Sequence, residues 1–352
     1  MPIAFQTPRS KLIEGFKWLG ERIPYPLHED KRGDTYAMTW ADDDEIYASA
    51  GDPSWGQKKE GGLDVEKFSG GPLDYRITRV NLMPAYNGYC GTGPKPTGMI
   101  CVRGVLYLAF QNLLGFRPPV YGSMCQHGND AQIICSKDHG LTWEPDIQTL
   151  KSPMFPGHLF GGPVFVNFGR NNEGAPDHLV YAVSGDQWDN GCQFRIGRVG
   201  CGEIMRADCW QWLTGWTRGG EPMWTFHLDK ALPILNEERC LSAPDIVYLA
   251  GVKRYLLLSW WLNEDFSSRK GSGLVILEAP QPWGPYSVVH VENPWETVLE
   301  CPYNPRIPLK WMEPDGITGW LQSSSWNLPT ASDPKEKLLY RSHVRRFRLK
   351  MR

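Results

Sequence analysis

Apolar residues along this chain come in short runs, paired around polar turns, and long helical periodicity is scarce. Five hairpins stand out. Residues 36–41 pair with 45–50 around Asp42-Asp43-Asp44, and 98–101 pair with 105–111 around Arg103-Gly104. Residues 163–168 pair with 178–184 across a longer turn containing Asn171-Asn172-Glu173-Gly174. Residues 245–249 pair with 254–261 at Gly251, and 306–311 pair with 317–323 at Pro314-Asp315-Gly316. Each turn carries Gly, Asp or Asn, which tolerate tight or left-handed backbone. A third strand follows each pair, at 75–82, 131–136, 193–199, 273–278 and 338–349. A unit repeated every roughly 60–80 residues predicts the blades of a propeller. The expected fold is all-β, a five-bladed β-propeller occupying residues 1–352 as a single domain, with 1–33 as an N-terminal closure segment. Within that segment, 12–24 is expected to add an outer strand to the last blade. Long insertions are expected at 52–74 and 200–242, the second with a short helix near 205–213.

Composition agrees with many short strands. The chain has 352 residues, with 37 Gly and 29 Pro spread along it rather than pooled in a linker. Sixteen Trp, 14 Tyr and 13 Phe supply aromatic faces that fill β cores and stack on sugar rings. A formal net charge of −2 without basic stripes argues against a nucleic-acid partner. No run approaches the roughly 18 apolar residues of a membrane span, so no membrane partner is expected. Nine cysteines lack C-x-x-C spacing, which excludes a zinc ribbon or thioredoxin-like motif. No metal or cofactor is expected. Met1-Pro2-Ile3 leads into no apolar leader, so the expectation is a cytoplasmic protein with free thiols. A secreted chain matured by signal-peptide removal reads the same way.

Ser136-Lys137-Asp138-His139-Gly140-Leu141-Thr142-Trp143 fits the pattern S-x-D-x-G-x-T-W. Ser136 and Asp138 can bond turn amides, Gly140 can take positive φ, and Trp143 can pack the turn onto its blade. Such turns join third and fourth strands and serve conformation rather than chemistry. Asp42, Asp43 and Asp44 fall at the same end of the blades and are read as a solvated turn, not a metal site.

The opposite end collects residues that precede first strands and follow second strands. Asp34 and Asp52 form the best carboxylate pair, because an antiparallel hairpin returns both to one end, on strands about 4.8 Å apart. Retaining glycosidases hold their carboxyls roughly 5–5.5 Å apart, so Asp34 and Asp52 are the expected catalytic residues. One would attack the anomeric carbon while the other protonates the leaving oxygen. Asp130, His158, Asp186, Trp188, Asp245, Trp261, Glu264, Asn304 and Arg306 are the expected substrate-binding residues. They supply the amides, carboxylates and aromatic faces that a carbohydrate requires.

Several stretches together resemble one family. They are Gly33-Asp34-Thr35-Tyr36 running into Thr39-Trp40-Ala41-Asp42-Asp43-Asp44; Ile196-Gly197-Arg198-Val199 followed by Trp210, Gly215 and Trp224; Ser242-Ala243-Pro244-Asp245 with Lys253-Arg254-Tyr255-Leu256; and Ala279-Pro280 with Trp283-Gly284-Pro285-Tyr286. This pattern resembles the five-bladed propellers once catalogued as a domain of unknown function and now including endo-D-arabinanases. The resemblance implies a retaining glycosidase using two aspartates on the first blade, at the places Asp34 and Asp52 occupy. The turn at 136–143 is similar to the Asp-box of sialidase-like propellers. A sialidase also needs an arginine triad, which is not assembled here. Two other readings compete with hydrolysis: a non-catalytic carbohydrate-binding propeller, and a polysaccharide lyase using His or Tyr as base with Arg306 neutralising a uronate.

Overall fold

A computed structural model describes residues 5–25, 31–55, 63–83, 94–114, 128–264, 270–296, 300–327 and 339–352. Within its strands, the side chains of 31–32, 52–55, 300, 326–327 and 339–341 fall outside that description. The described residues form 22 strands and six short 3-10 turns, with no α-helix among them.

Strand β1 (Ile13–Pro24) opens the described chain. The first blade is β2 (Lys31–Trp40), β3 (Ile46–Trp55), β4 (Leu63–Ser69) and β5 (Arg76–Leu82). The second is β6 (Lys95–Val102), β7 (Val105–Gln111), β8 (Asp130–Ser136) and β9 (Phe155–Pro156). The third is larger: β10 (Pro163–Phe165), β11 (Leu179–Gly185), β12 (Gly191–Gly200), β13 (Gln211–Trp216) and β14 (Pro222–Thr225), with β15 (Leu235–Leu241) also paired to β12. The fourth is β16 (Asp245–Leu249), β17 (Arg254–Leu262), β18 (Ser272–Ala279) and β19 (Ser287–Glu292). The fifth is β20 (Glu300–Arg306), β21 (Thr318–Asn327) and β22 (Leu339–Met351), completed on its outer edge by β1. The N-terminal strand therefore closes the last blade, as its sequence position suggested. A β-propeller of five blades is the fold.

Inner strands of the blades are buried on both faces, which explains the run of apolar residues in β17. Leu256, Leu258 and Trp260 pack toward the fifth blade, against Tyr303, Ile307 and Leu321. Tyr255, Leu257 and Trp261 pack toward the third, against Tyr181, Val183 and Phe194. Three further clusters fill the seams between blades two and three, one and two, and five and one. Five seams make a closed ring, in which each sheet keeps only its short inner and outer edges.

Ahead of β1, the segment 6–10 lies across blades three and four. The Glu237 carboxylate accepts bonds from the Gln6 and Thr7 amides at 3.0 and 2.7 Å and from the Thr7 hydroxyl. The Val288 amide donates to the Pro8 carbonyl and the Ser10 amide to the Val288 carbonyl, while the Ser10 hydroxyl donates to Glu278 at 2.7 Å.

Three details differ from the sequence reading. The third strand of blade one is β4, inside the stretch read as an insertion, and the strand near 75–82 is the fourth. The region 205–213 holds a 3-10 turn (Ala207–Cys209) and the start of β13 rather than a helix. There the Trp210 and Trp212 rings lie over Gly197, where a Cβ would meet each at 3.1 Å. Close packing of tryptophans on a sheet glycine overrides the helical pattern. The first strand of blade five is β20, upstream of the expected 306–311. Pro302 and Pro305 masked it, yet β20 is the edge strand of its sheet, where proline's missing N–H costs no ladder bond.

Candidate active site

Arg306 sits at the meeting point of the inner strands and is 2% exposed. Its guanidinium donates to the Pro244 carbonyl at 2.8 Å and to the Thr35 and Thr97 carbonyls at 3.3 Å each. It also lies 3.6 Å from Asp245, whose other oxygen accepts the Ile307 amide at 2.8 Å. One side chain of blade five thus ties blades one, two and four, and the Thr97 hydroxyl extends the link to Pro163 of blade three at 2.8 Å. Burial pushes the Asp245 carboxyl upward, and the adjacent guanidinium opposes that. Arg306 and Asp245 thus tie the inner ends of the blades together.

Asp34 lies inside β2, between two β-bulges that interrupt its pairing with β3. Its Cα partner is Gly51, and a Cβ there would fall 2.5 Å from Asp34 Oδ1 and 3.1 Å from Thr35 Oγ1. Only glycine lets the carboxylate lie against the neighbouring strand. The two residues after Asp34 adopt left-handed backbone, Thr35 at φ 63° and Tyr36 at φ 40°. For a β-branched and an aromatic residue that is strain, held by the packed surroundings. Asp34 is buried and accepts a 2.7 Å hydrogen bond from the Tyr303 hydroxyl of β20. Lys95, the first residue of β6, is also buried. Burial draws its ammonium down to about 8 while the Asp34 charge pulls it upward. Three blades contribute to this point.

Around it stand buried polar atoms with hydrogen-bonding capacity to spare. Among the described residues, Thr35 Oγ1, Gln111 Nε2, Asn304 Nδ2 and Ser324 Oγ have no hydrogen-bond partner. Gln111 pairs directly with Lys95, and Ser324 with Tyr303, so each shares its partner's face of the sheet. Asn304, left-handed at φ 47°, accepts the Trp260 indole N–H at 3.2 Å. The Trp188, Trp260 and Tyr303 rings pack edge-on or tilted, with centroids 5.3–6.3 Å apart. Unmade bonds in a buried site are costly, and a polyhydroxylated ligand could complete them.

Asp52 lies in the bulge of β3 opposite Gly33, between the paired positions Gly51 and Ser54, and its side chain is outside the described residues. Asp130 is buried and accepts the Leu113 amide at 2.6 Å and the Leu114 amide at 3.3 Å, ordering the loop after β7. Asp186 accepts the Cys192 and Gln193 amides at 3.0 and 3.2 Å, fixing the β11–β12 turn. His158 is half-buried, and burial lowers its imidazole against the pull of Asp186. Trp261 packs on the face opposite Trp260, toward blade three, with its indole N–H bonded to Asn263 at 3.2 Å. With Glu264, Glu238, Arg239 and Asn190 it lines a cleft of about 630 Å³. Glu264 is exposed there and pairs with Lys270.

Of the expected site residues, the structure brings Asp34, Trp188 and Asn304 together. Lys95, Tyr303, Thr35, Gln111 and Ser324 join them and were not found by sequence reasoning. The available signal was a lysine between Pro94 and Pro96 at the start of an apolar strand, where charge is out of place unless paired.

At the other end, the turn 136–143 joins β8 to β9. Ser136 Oγ accepts the Gly140 amide at 2.8 Å, Asp138 accepts the Thr142 amide at 2.9 Å and its hydroxyl at 2.6 Å, and the Trp143 indole donates to the Gly140 carbonyl at 3.0 Å. Hydrogen bonds from Thr142 hold the Asp138 carboxyl down to about 2. Asp42 reaches His139 of this turn at 2.9 Å, so both turns share one end. Asp42, Asp43 and His139 bring one ligand atom each within 4.8 Å of one another, but Asp43 is bonded by the Tyr47 hydroxyl and the Glu45 amide of its own hairpin.

No protein-family model matches the sequence, and no curated protein matches it. Solved structures do. The alpha-L-arabinofuranosidase of Podospora anserina, in complex with cellotriose, superposes with a TM-score of 0.54 at 12% identity, over 96% of this chain and 98% of that one. The catalytic domain of a Coprinopsis cinerea GH62 alpha-L-arabinofuranosidase gives 0.50 at 12% identity, over 95% and 98%. A family 117 glycoside hydrolase produced by Zobellia galactanivorans gives 0.51 at 9% identity, over 96% and 91%. At such identities the likeness establishes the propeller, and the chemistry rests on the residues of the site.

Proposed function

We propose that the protein is a glycoside hydrolase whose reacting carboxylate is Asp34. The observation that carries this reading is the setting of Asp34. It is a buried carboxylate on strained backbone, held by Tyr303 and close enough to the buried Lys95 for its charge to act on that ammonium, within a ring of polar atoms whose bonds are unmade. Strain and unsatisfied polar groups are tolerated where function needs them. The arabinofuranosidase and family 117 propellers of the same fold are consistent with it.

In this reading Asp34 attacks the anomeric carbon as the glycosidic C–O bond breaks, and Asp52 gives its proton to the departing oxygen. Water then cleaves the glycosyl–Asp34 ester, with Asp52 taking the proton back, so the configuration is retained. The substrate is an oligosaccharide, and a D-arabinofuranoside is the first to try. Seven described cysteines are free thiols, which fits an intracellular substrate. The lyase alternative is weakened because the Arg306 guanidinium is occupied by carbonyls and Asp245.

The test is a panel of furanoside and pyranoside oligosaccharides assayed with the native protein and with Asp34→Asn and Asp52→Asn. Loss of reducing-end release in both variants supports the reading; hydrolysis surviving both refutes it. Binding without cleavage by the native protein would favour the non-catalytic propeller.

A further inference from the structure

We propose that Lys95 is a positioning residue for Asp34, its buried ammonium on the second blade keeping the first-blade carboxylate ionised and aimed at the Tyr303 hydroxyl. The inference rests on the reading of Asp34 as the reacting group.

Three observations lead to it. First, lysine is almost never fully buried unless paired, and Lys95 is 7% exposed. Second, the second blade packs on the strand partner of Asp34: the Cβ position of Gly51 that lies 2.5 Å from Asp34 Oδ1 is 3.4 Å from Cδ of Pro96, the residue after Lys95. Third, a buried carboxylate without a cation would hold its proton at neutral pH and make a poor nucleophile.

Other charged and titratable groups on β2, β4 and β20 are engaged differently. Tyr36, on β2, has its phenol pushed well above its ordinary range by burial and stays neutral. Asp64 and Glu66, on β4, are acidic and act on Tyr36. Tyr303, on β20, contributes a neutral hydroxyl. Arg306, also on β20, is directed to the Thr35, Thr97 and Pro244 carbonyls and to Asp245. Burial draws the Lys95 ammonium down to about 8, so its positive charge on the second blade is lost as the pH rises through that value.

The experiment is a ¹³C-carboxyl NMR titration of Asp34, its resonance assigned by loss in Asp34→Asn. It is run on the native protein, Lys95→Met and Lys95→Arg. The carboxyl midpoint should rise by about one pH unit, tenfold in ionisation constant, in Lys95→Met and return in Lys95→Arg. The native Asp34 resonance should also inflect near the Lys95 midpoint of about 8. That second readout serves if Lys95→Met does not fold. An unchanged midpoint in Lys95→Met, or no inflection in the native protein, overturns the proposal. None of this needs a substrate. If the coupling is present and no glycan is cleaved, the hydrolase reading alone fails. With a cleaved glycan in hand, Lys95→Met should lower kcat about tenfold with little change in KM, and Lys95→Arg should recover it.

Discussion

The hydroxyl of Tyr303, in the fifth blade, donates a 2.7 Å hydrogen bond to the carboxylate of Asp34 in the first. The two residues lie 269 positions apart, so the bond exists only when the ring has closed. This part of the site therefore needs the fifth blade docked against the first.

Replacing Tyr303 with Phe removes that hydroxyl and little else. A hydrogen bond to a charged group is worth about 1.5–3 kcal/mol, and the buried carboxylate left behind sets the larger part of the cost. Guanidinium denaturation should show a loss in that range, and kcat/KM on any responsive glycan should fall at least about tenfold. Native activity in Tyr303→Phe would show that the bond does not orient Asp34.

Arg306 makes a different prediction. Arg306→Met fills a similar volume but strands Asp245 and several carbonyls in the interior. Breaking one partner of a buried ion pair costs about 3–5 kcal/mol. We expect denaturation midpoints to drop accordingly, and Arg306→Lys not to restore them, because three carbonyls and one carboxylate need a fork. A loss below about 1 kcal/mol would show that Arg306 does not tie the blades together.

Glu237 should hold the N-terminal segment. Its carboxylate takes the Gln6 and Thr7 amides and the Thr7 hydroxyl, joining blade three to the strap that leads into β1. Glu237→Ala should cost about 2 kcal/mol and speed amide exchange at Gln6 and Thr7. Unchanged exchange at both amides would mean that the strap is held elsewhere.

The turn at Asp138 has a pH signature. Hydrogen bonds from Thr142 and Ser136 depress its carboxyl to about 2 in the folded protein. A depressed carboxyl stabilises the fold at pH values above its unfolded pKa, near 3.9, and the contribution disappears as pH falls through the folded value. The Thr142 amide resonance should therefore titrate with a midpoint near 2. A midpoint near 4 would show that the turn bonds do not favour the ionised form.

Much of the ring could be read from the chain because its hairpins carry turn chemistry. Asp42-Asp43-Asp44, Arg103-Gly104 and Pro314-Asp315-Gly316 each mark a reversal, and the residues around them alternate as strands. Strand β4 was hidden because Asp64 and Glu66 interrupt its apolar residues, yet both are buried. Strand β20 was hidden by its prolines, which an inner edge tolerates. The site was half legible. Asp34 stood out as a carboxylate before a strand. Lys95, Tyr303 and Ser324 did not, because each reaches the site from another blade and nothing in local spacing joins them. Trp260 and Trp261 show the same limit. Adjacent in sequence, they face opposite seams, and it is Trp260 that meets Asn304.

The most direct measurement is the product of glycan cleavage by native protein and by Asp34→Asn, with both shown to be folded by circular dichroism. We expect release of sugar by the native protein, retention of anomeric configuration by NMR, and loss of at least about a thousandfold in kcat for Asp34→Asn. Cleavage by Asp34→Asn at the native rate would contradict it.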